Sequence, residues 1–296
     1  MTFTSAGTVR GGGRRARGRR APGGRRDGPG RGGAAGQGAV AGRDVAIDRI
    51  DALLGLDEPE GRLRLGALVT HEAIVASDAV RSRFTALADA SAIVGSHATR
   101  ANGTLGGNVM NASPAMDTGG PLLCLGASVV LQGPSGARSV PLGDLWTGPG
   151  STIAAADELL VAVDVPAPAS GTGSAYVRLE YRRQMEIAVV GATAAVTLDG
   201  SSVAGARVAI TALAPTIRRV AEAEAALAGS DGGDAAVAEA ARAAAAGSAP
   251  IDDVRASAAY RAAMAEVVAR RAIEAALTRA RGGDVPIPAS DALYGT

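Results

Sequence analysis

Between Arg100 and Asp117 the chain reads Arg100-Ala101-Asn102-Gly103-Thr104-Leu105-Gly106-Gly107-Asn108 and then Ala112-Ser113-Pro114-Ala115-Met116-Asp117. Two adjacent residues without Cβ let the backbone reach φ > 0 and bring its N–H groups within contact distance of a bulky ligand. Concave runs of main-chain N–H groups bind anions, above all phosphate oxygens. Thr104 and Asn108 add side-chain hydrogen bonding at the rim, and Asp117 can accept from the hydroxyl of a sugar or ribityl chain. The pattern suggests a nucleotide-like ligand. Asn-Gly and Gly-Gly pairs also make ordinary hairpin turns, so this stretch alone leaves both readings open.

The 296 residues are enough for two domains that each bury a core. Apolar residues make up 47% of the chain, yet it holds only one Trp, four Tyr and two Phe. The core must therefore be built from Val, Leu, Ile and Ala. All 30 basic residues are Arg, which reads as coding bias rather than function. The single Cys124 lies in the apolar run Pro121-Leu122-Leu123-Cys124-Leu125 and reads as a buried structural thiol. One Cys and two His exclude an iron–sulfur or zinc site built by this chain alone. No apolar run has the length of a membrane span, and the N-terminus lacks the apolar stretch of a secretory signal. A cytoplasmic component is expected.

Residues 1–43 differ from everything after them. They set ten Arg against the single Asp27, are rich in Gly and carry scarcely any apolar side chains. Such a segment cannot bury enough surface to offset the entropy of ordering it, so it reads as a disordered extension. An RGG-like nucleic-acid tail is the other reading, but no aromatic residues are interleaved for base stacking, and nucleic acid is not the expected partner.

From residue 44 the pattern is that of a compact fold. Arg62 to Leu68 alternates with period two, as in a half-buried strand. Thr70 is placed to cap a short helix with Glu72 in its first turn. Phe84, Leu87, Ala88, Ser91 and Val94 space as one helical face. Residues 129–132 and 138–142 flank a Gly-Pro-Ser-Gly turn and predict a hairpin. A strand over 159–165 is stopped by Pro166. Strands over 189–198 and 203–213 are joined through Asp199-Gly200, a hairpin signal. Helices are predicted over 217–228, 234–247 and 254–280, with Tyr260, Met264, Val267 and Leu277 as a core stripe on the last. His71 is expected in a helix first turn and His97 in a loop; neither has partners at metal or nucleophile spacing.

Ser96 to Asp117 resembles the second flavin motif of the FAD-binding subunit of molybdenum hydroxylases, the carbon monoxide dehydrogenase and xanthine dehydrogenase family. The resemblance continues through Pro121-Leu122-Leu123, Val129-Val130-Leu131 and Asp157-Glu158-Leu159-Leu160. It resumes at Ser174-Ala175-Tyr176, Tyr181-Arg182-Arg183-Gln184-Met185-Glu186-Ile187-Ala188, Ala214-Pro215-Thr216 and Ala221-Glu222-Ala223-Glu224, and closes near Tyr260-Arg261. It covers roughly residues 45–280. It implies an α+β fold: an FAD-binding α/β domain of the PCMH/vanillyl-alcohol-oxidase-like type, then a small C-terminal domain of antiparallel sheet plus helices. The implied boundaries are 1–43 (Gly/Arg-rich segment), 44–168 (FAD-binding), 169–173 (linker), 174–282 (C-terminal domain) and 283–296 (tail).

By that resemblance Thr104, Leu105, Gly106, Gly107 and Asn108 lie against the FAD pyrophosphate and ribityl region, and Asp117 holds a cofactor hydroxyl. Leu159 matches a position whose backbone touches the adenine side. Arg178 stands where many relatives carry Lys near the isoalloxazine edge, and a cation there would stabilise negative charge on the reduced ring. Ile187 matches a residue beside the ring, and Val94 falls where xanthine dehydrogenases place a stacking aromatic. No catalytic or metal-ligating residue is implied on this chain. The family role is to pass electrons from [2Fe-2S] clusters of a small partner subunit, through FAD, to an external acceptor. A large partner subunit carries the molybdenum cofactor, and the assembly is a dimer of heterotrimers.

The family also carries an upstream flavin motif, an apolar strand ending in Ala-Gly-Gly, that wraps the pyrophosphate. Here the corresponding region reads Gly28-Pro29-Gly30-Arg31-Gly32-Gly33-Ala34-Ala35-Gly36-Gln37, without the strand. If that loop is absent, the alternative is a non-catalytic interaction subunit unable to hold FAD. Residues 1–43 are read as an out-of-frame translation of a GC-rich gene. Translating the upstream DNA in the other two frames is expected to reveal an apolar strand ending in Gly-Gly; its absence from both frames refutes this reading.

Overall fold

The structure is a computed structural model that describes residues 46–294; the expectations for residues 1–43 lie outside it. The first half of the chain runs through β1 (Leu56–Asp57), β2 (Arg62–Gly66), α1 (His71–Ala76), α2 (Asp78–Arg83), α3 (Thr85–Ala92), α4 (His97–Asn102), α5 (Leu105–Met110) and α6 (Gly119–Cys124). It continues through β3 (Ser128–Gly133), β4 (Gly136–Pro141), α7 (Leu142–Leu145), the short pair β5 (Trp146–Gly148) and β6 (Ser151–Thr152), and β7 (Leu159–Pro166). One antiparallel sheet forms in the order β1-β2-β7-β3-β4.

Local chemistry explains these elements. On β2 the alternation sends Leu63 and Leu65 into the core while Arg64 stays outside and pairs with Asp164 of β7 at 2.8 Å. Thr70 caps α1 by accepting the Ala73 N–H at 3.2 Å. Phe84, Leu87, Ala88 and Ser91 are all buried, as their spacing predicts, whereas Val94, expected on the same face, lies past the end of α3 and is half-buried. The expected hairpin is β3–β4, and β7 ends on Pro166. The first core gathers Leu63, Leu65, Ile74, Phe84, Leu105 and Leu131, among others.

The second half contains β8 (Thr172–Leu179), β9 (Val190–Asp199), β10 (Ser202–Thr211), β11 (Arg218–Arg219), α8 (Ala221–Leu227), α9 (Asp234–Ala246), α10 (Ala258–Ala280) and α11 (Ala289–Tyr294). Its antiparallel sheet has the order β11-β10-β9-β8. The β9–β10 hairpin turns at Asp199-Gly200, with Gly200 at φ +58°. The helix expected from residue 217 begins only at Ala221, because Arg218 and Arg219 pair with Ile210 and Ala209 as an edge strand. The last long helix begins at Ala258 rather than 254, capped by the Ser257 hydroxyl on the Tyr260 N–H.

The core stripe expected on α10 is also corrected. Leu277 is buried and Met264 packs against the second core as expected, but Tyr260 and Val267 are 42% and 36% exposed, and most of the buried face is Ala265, Val268, Ala269, Ala272, Ile273 and Ala276. Close contact between helix and sheet selects small side chains, so residue size misleads where backbones approach.

The two halves meet along α3, α6 and β8. Thr85 Oγ1 donates to the Ser174 carbonyl at 2.5 Å, and Ser174 Oγ accepts the Ala86 N–H at 3.1 Å. Asp89 of α3 has no exposure and accepts from Arg279 at 2.6 and 3.0 Å, from the Tyr176 N–H at 3.1 Å and from the Ala289 N–H at 3.0 Å. Arg279 also donates to the carbonyls of Ser174, Val285 and Pro286. Among the described residues no helix is long and apolar enough to cross a membrane.

Asp89→Ala leaves a buried guanidinium and two N–H groups without their acceptor. We expect urea titration to show a loss of about 3–5 kcal/mol. Removing the exposed partner of the β2–β7 pair, Arg64→Ala, is expected to cost less than about 1 kcal/mol.

Candidate functional site

The glycine-rich stretch folds as the turn into α5, docked on the segment after β2. Gly103 accepts the His71 N–H at 3.1 Å, and Thr104 stands opposite Thr70 in an isolated antiparallel bridge. Leu105 donates to Val69 O at 2.9 Å, Gly106 to Ala67 O at 2.9 Å, Gly107 to Thr104 Oγ1 at 3.1 Å and Asn108 to Thr104 O at 3.0 Å. This corrects the sequence expectation. Neither Gly106 nor Gly107 has positive φ, and the four N–H groups from Leu105 to Asn108 already have partners. Gly106 serves close packing instead: a Cβ there would lie 2.6 Å from the Ala67 carbonyl oxygen.

The donors this stretch offers a ligand are therefore side chains. Thr104 Oγ1 accepts from Gly107 and retains its own proton. Asn108 Oδ1 accepts from Thr118 Oγ1 at 2.6 Å, which leaves its NH2 group to donate elsewhere. Both residues are half-buried, whereas Leu105 is fully buried.

Asp117 lies just before α6 and is buried. It accepts from Tyr176 Oη at 2.7 Å and from Arg178 Nη1 at 2.8 Å. Arg178, without exposure, also pairs with Glu180, and its Nε has no protein partner. Burial pushes the Asp117 carboxyl up to about 6, against the opposing pull of Arg178 and the Tyr176 hydrogen bond. Burial raises Glu180 too, and raises the Tyr176 phenol well above its usual range. Asp117 and Glu180 thus share one guanidinium, with a spare donor on that guanidinium and free lone pairs on Asp117.

The Tyr181–Ala188 segment docks beside the start of the flavin-like motif. The Met185 N–H donates to Gly95 O at 2.9 Å, and the Thr99 hydroxyl to Met185 Sδ at 3.5 Å. Arg182 pairs with Glu186 and donates to Met185 O. Met185, at φ +55°, is 57% exposed and Ile187 is 46% exposed, so this segment presents apolar surface to solvent. Val94, half-buried, gives its carbonyl to Arg100.

The structure thus joins Asp117 to Arg178, and Asn108 to Thr118 next to Asp117. Leu159 stands apart as the half-buried first residue of β7, paired with Gln132 of β3. His71 opens α1 as expected; burial and Arg100 lower it to about 4, so it is neutral. His97 opens α4 rather than lying in a loop, because Ser96 caps that helix on the Thr99 N–H.

Sequence reasoning assigned no role to Tyr176 or Glu180. A signal existed. Ser174, Tyr176 and Arg178 alternate on β8 with Ala175 and Val177, so the polar face meets the first half while the apolar face joins the second core.

The donor set fits a flavin dinucleotide: a hydroxyl and an amide for phosphate oxygens, a carboxylate for a sugar hydroxyl, and a guanidinium for anionic charge. The sequence model of the FAD binding domain in molybdopterin dehydrogenase matches residues 39–168, and that of the CO dehydrogenase flavoprotein C-terminal domain matches residues 175–276. The carbon monoxide dehydrogenase medium chain of Hydrogenophaga pseudoflava is 33% identical over 235 residues, spanning 79% of this chain and 82% of that one. A solved carbon monoxide dehydrogenase from the same organism, in a form lacking the Mo-pyranopterin moiety of its cofactor, superposes with a TM-score of 0.76. It is 35% identical and covers 79% of this chain and 81% of its own. Quinoline 2-oxidoreductase from Pseudomonas putida 86 gives a TM-score of 0.74 at 28% identity, with coverage of 79% and 81%.

Gly106→Ala drives a methyl into backbone that cannot swing aside. We expect a stability loss of about 1–3 kcal/mol, read from thermal melting.

Proposed function

The chain belongs to the FAD-binding medium subunits of the molybdenum hydroxylase family, and from that membership we propose how it works. It holds FAD non-covalently and takes electrons from iron–sulfur clusters on a small partner subunit. It passes them to an external acceptor. Substrate hydroxylation belongs to a large subunit that carries the molybdenum cofactor, in a cytoplasmic dimer of heterotrimers. One observation supports borrowed clusters: Cys124, the single cysteine of the sequence, is buried. When bound, FAD supplies the chemistry of taking up electrons singly and releasing them in pairs.

The chain's own residues bind and tune. The Thr104 hydroxyl and Asn108 amide donate to pyrophosphate oxygens, and Leu105, Gly106 and Gly107 form the packed turn that holds those two side chains in place. Asp117 accepts a hydroxyl of the ribityl chain. Arg178 supplies the positive charge that favours added electron density on the ring. Ile187 offers an apolar contact beside the ring, and Leu159 borders the adenine side. In this reading the FAD-binding unit spans 44–168 and the C-terminal unit 174–282; the linker expected over 169–173 is shortened, because Thr172 and Gly173 already pair with Thr197 and Val196 in β8. The carrying observation is the buried Asp117–Arg178 pair, where a carboxylate with spare lone pairs adjoins a guanidinium with a spare donor.

A second reading is favoured by the satisfied N–H groups of Leu105 to Asn108. Without an upstream loop to supply others, the chain would be an interaction subunit that holds no flavin. Purified protein titrated with FAD separates the two. We expect flavin absorbance to be retained after gel filtration, and Asp117→Asn to weaken retention about tenfold through loss of a charged acceptor. A folded protein that stays colourless in excess FAD establishes the second reading. Copurification with neighbouring gene products, followed by iron and molybdenum analysis, tests the partners.

A further inference from the structure

Tyr176 belongs to the second half of the molecule, yet its side chain packs into the first. Its side chain has no exposure and clusters with Ala86, Ala90 and Ile93 of the α3 region. Its N–H donates to Asp89 Oδ2 at 3.1 Å and its hydroxyl to Asp117 Oδ1 at 2.7 Å. A neighbouring strand makes room for the ring. At Gly191 of β9 a Cβ would lie 2.6 Å from Tyr176 Oη and 3.1 Å from Cε2. The tyrosine is therefore held at three places: by its backbone on one carboxylate, by alanines along its ring and by a glycine under its hydroxyl.

We infer that Tyr176 is a positioning residue: its hydroxyl fixes the orientation and charge state of Asp117, so the second half of the chain sets the acid that the first half presents to the cofactor. The role assigned to Asp117 rests on the proposed function above. The phenol can donate only one hydrogen bond, and here it goes to Asp117 Oδ1, while Arg178 takes Oδ2. With one donor on each oxygen, the carboxylate plane is fixed. The charged groups facing Asp117 are Arg178, which favours its ionised form, and Glu180, which opposes it. The Tyr176 hydrogen bond adds to the Arg178 side of that balance. A donor to a carboxylate favours the charged form, so removing it moves the titration of Asp117 upward.

The test uses the full chain in three forms: wild type, Tyr176→Phe and Gly191→Ala. In the protein without FAD, the carboxyl carbon of Asp117 is followed by pH titration of aspartate-labelled samples, with Asp117→Asn to assign the resonance. Wild-type Asp117 is expected to titrate near pH 6, and both variants toward neutral pH. An unchanged Asp117 midpoint in Tyr176→Phe overturns the inference, provided thermal melting shows that variant folded; if it unfolds, Gly191→Ala decides by the same criterion. FAD retention is measured separately. Asp117 ionises as pH rises, so retention should fall as pH drops through its midpoint, with the fall beginning at higher pH in both variants. Tyr176→Phe is expected to weaken retention about tenfold above that midpoint. A shifted Asp117 titration with no FAD bound by any form supports the positioning role and sinks the flavin assignment alone.

Discussion

Asp89 and Asp117 both come from the first half of the chain, and both are removed from water at the seam. A carboxylate in that setting is tolerable only when hydrogen-bond donors replace the water it has lost. Every side chain and backbone N–H seen donating to either one comes from the second half: Tyr176, Arg178, Arg279 and Ala289. The relative placement of the two sheets follows from this requirement. Sliding one half along the other would strand two buried negative charges. The surrounding apolar contacts add attraction without direction; the carboxylates supply the register.

Strand β8 carries this arrangement because one strand can serve two layers. Ala175 and Val177 pack into the second core, while Ser174, Tyr176 and Arg178 reach toward α3 and α6. Arg178 is held at both ends, with its backbone N–H on Ser290 Oγ and its guanidinium on Asp117 and Glu180. Its charge is therefore fixed in place rather than carried on a mobile surface side chain. The candidate site is thus built at the boundary of two folding units, a common location for cofactor clefts.

Much of the local structure was legible because it depends on neighbours in sequence. The period-two pattern of Arg62 to Leu68, the Thr70 cap, the β3–β4 hairpin and the Asp199-Gly200 turn need only a few consecutive residues to declare themselves. The motifs from Ser96 to Asp117 and from Tyr181 to Ala188 likewise carried the family. What could not be read depends on contacts between distant residues. The paired glycines looked like an anion-binding turn because nothing nearby reveals that Ala67 takes up the Gly106 N–H and Val69 that of Leu105, while the Thr104 hydroxyl caps Gly107. Tyr260 and Val267 looked like part of the α10 core face because sequence does not show how closely a sheet approaches a helix. The role of Tyr176 required a partner 59 positions away.

The alanines beside Tyr176 have a consequence for how such a chain can change over generations. Ala86 and Ala90 leave the room that the aromatic ring occupies, and Gly191 leaves the room for its oxygen. Enlarging any one of the three would demand a smaller occupant, and a smaller occupant would release Asp117. Drift in the two halves is therefore coupled by volume as well as by charge, and grafting either half onto an unrelated partner would import a gap or a clash at this spot.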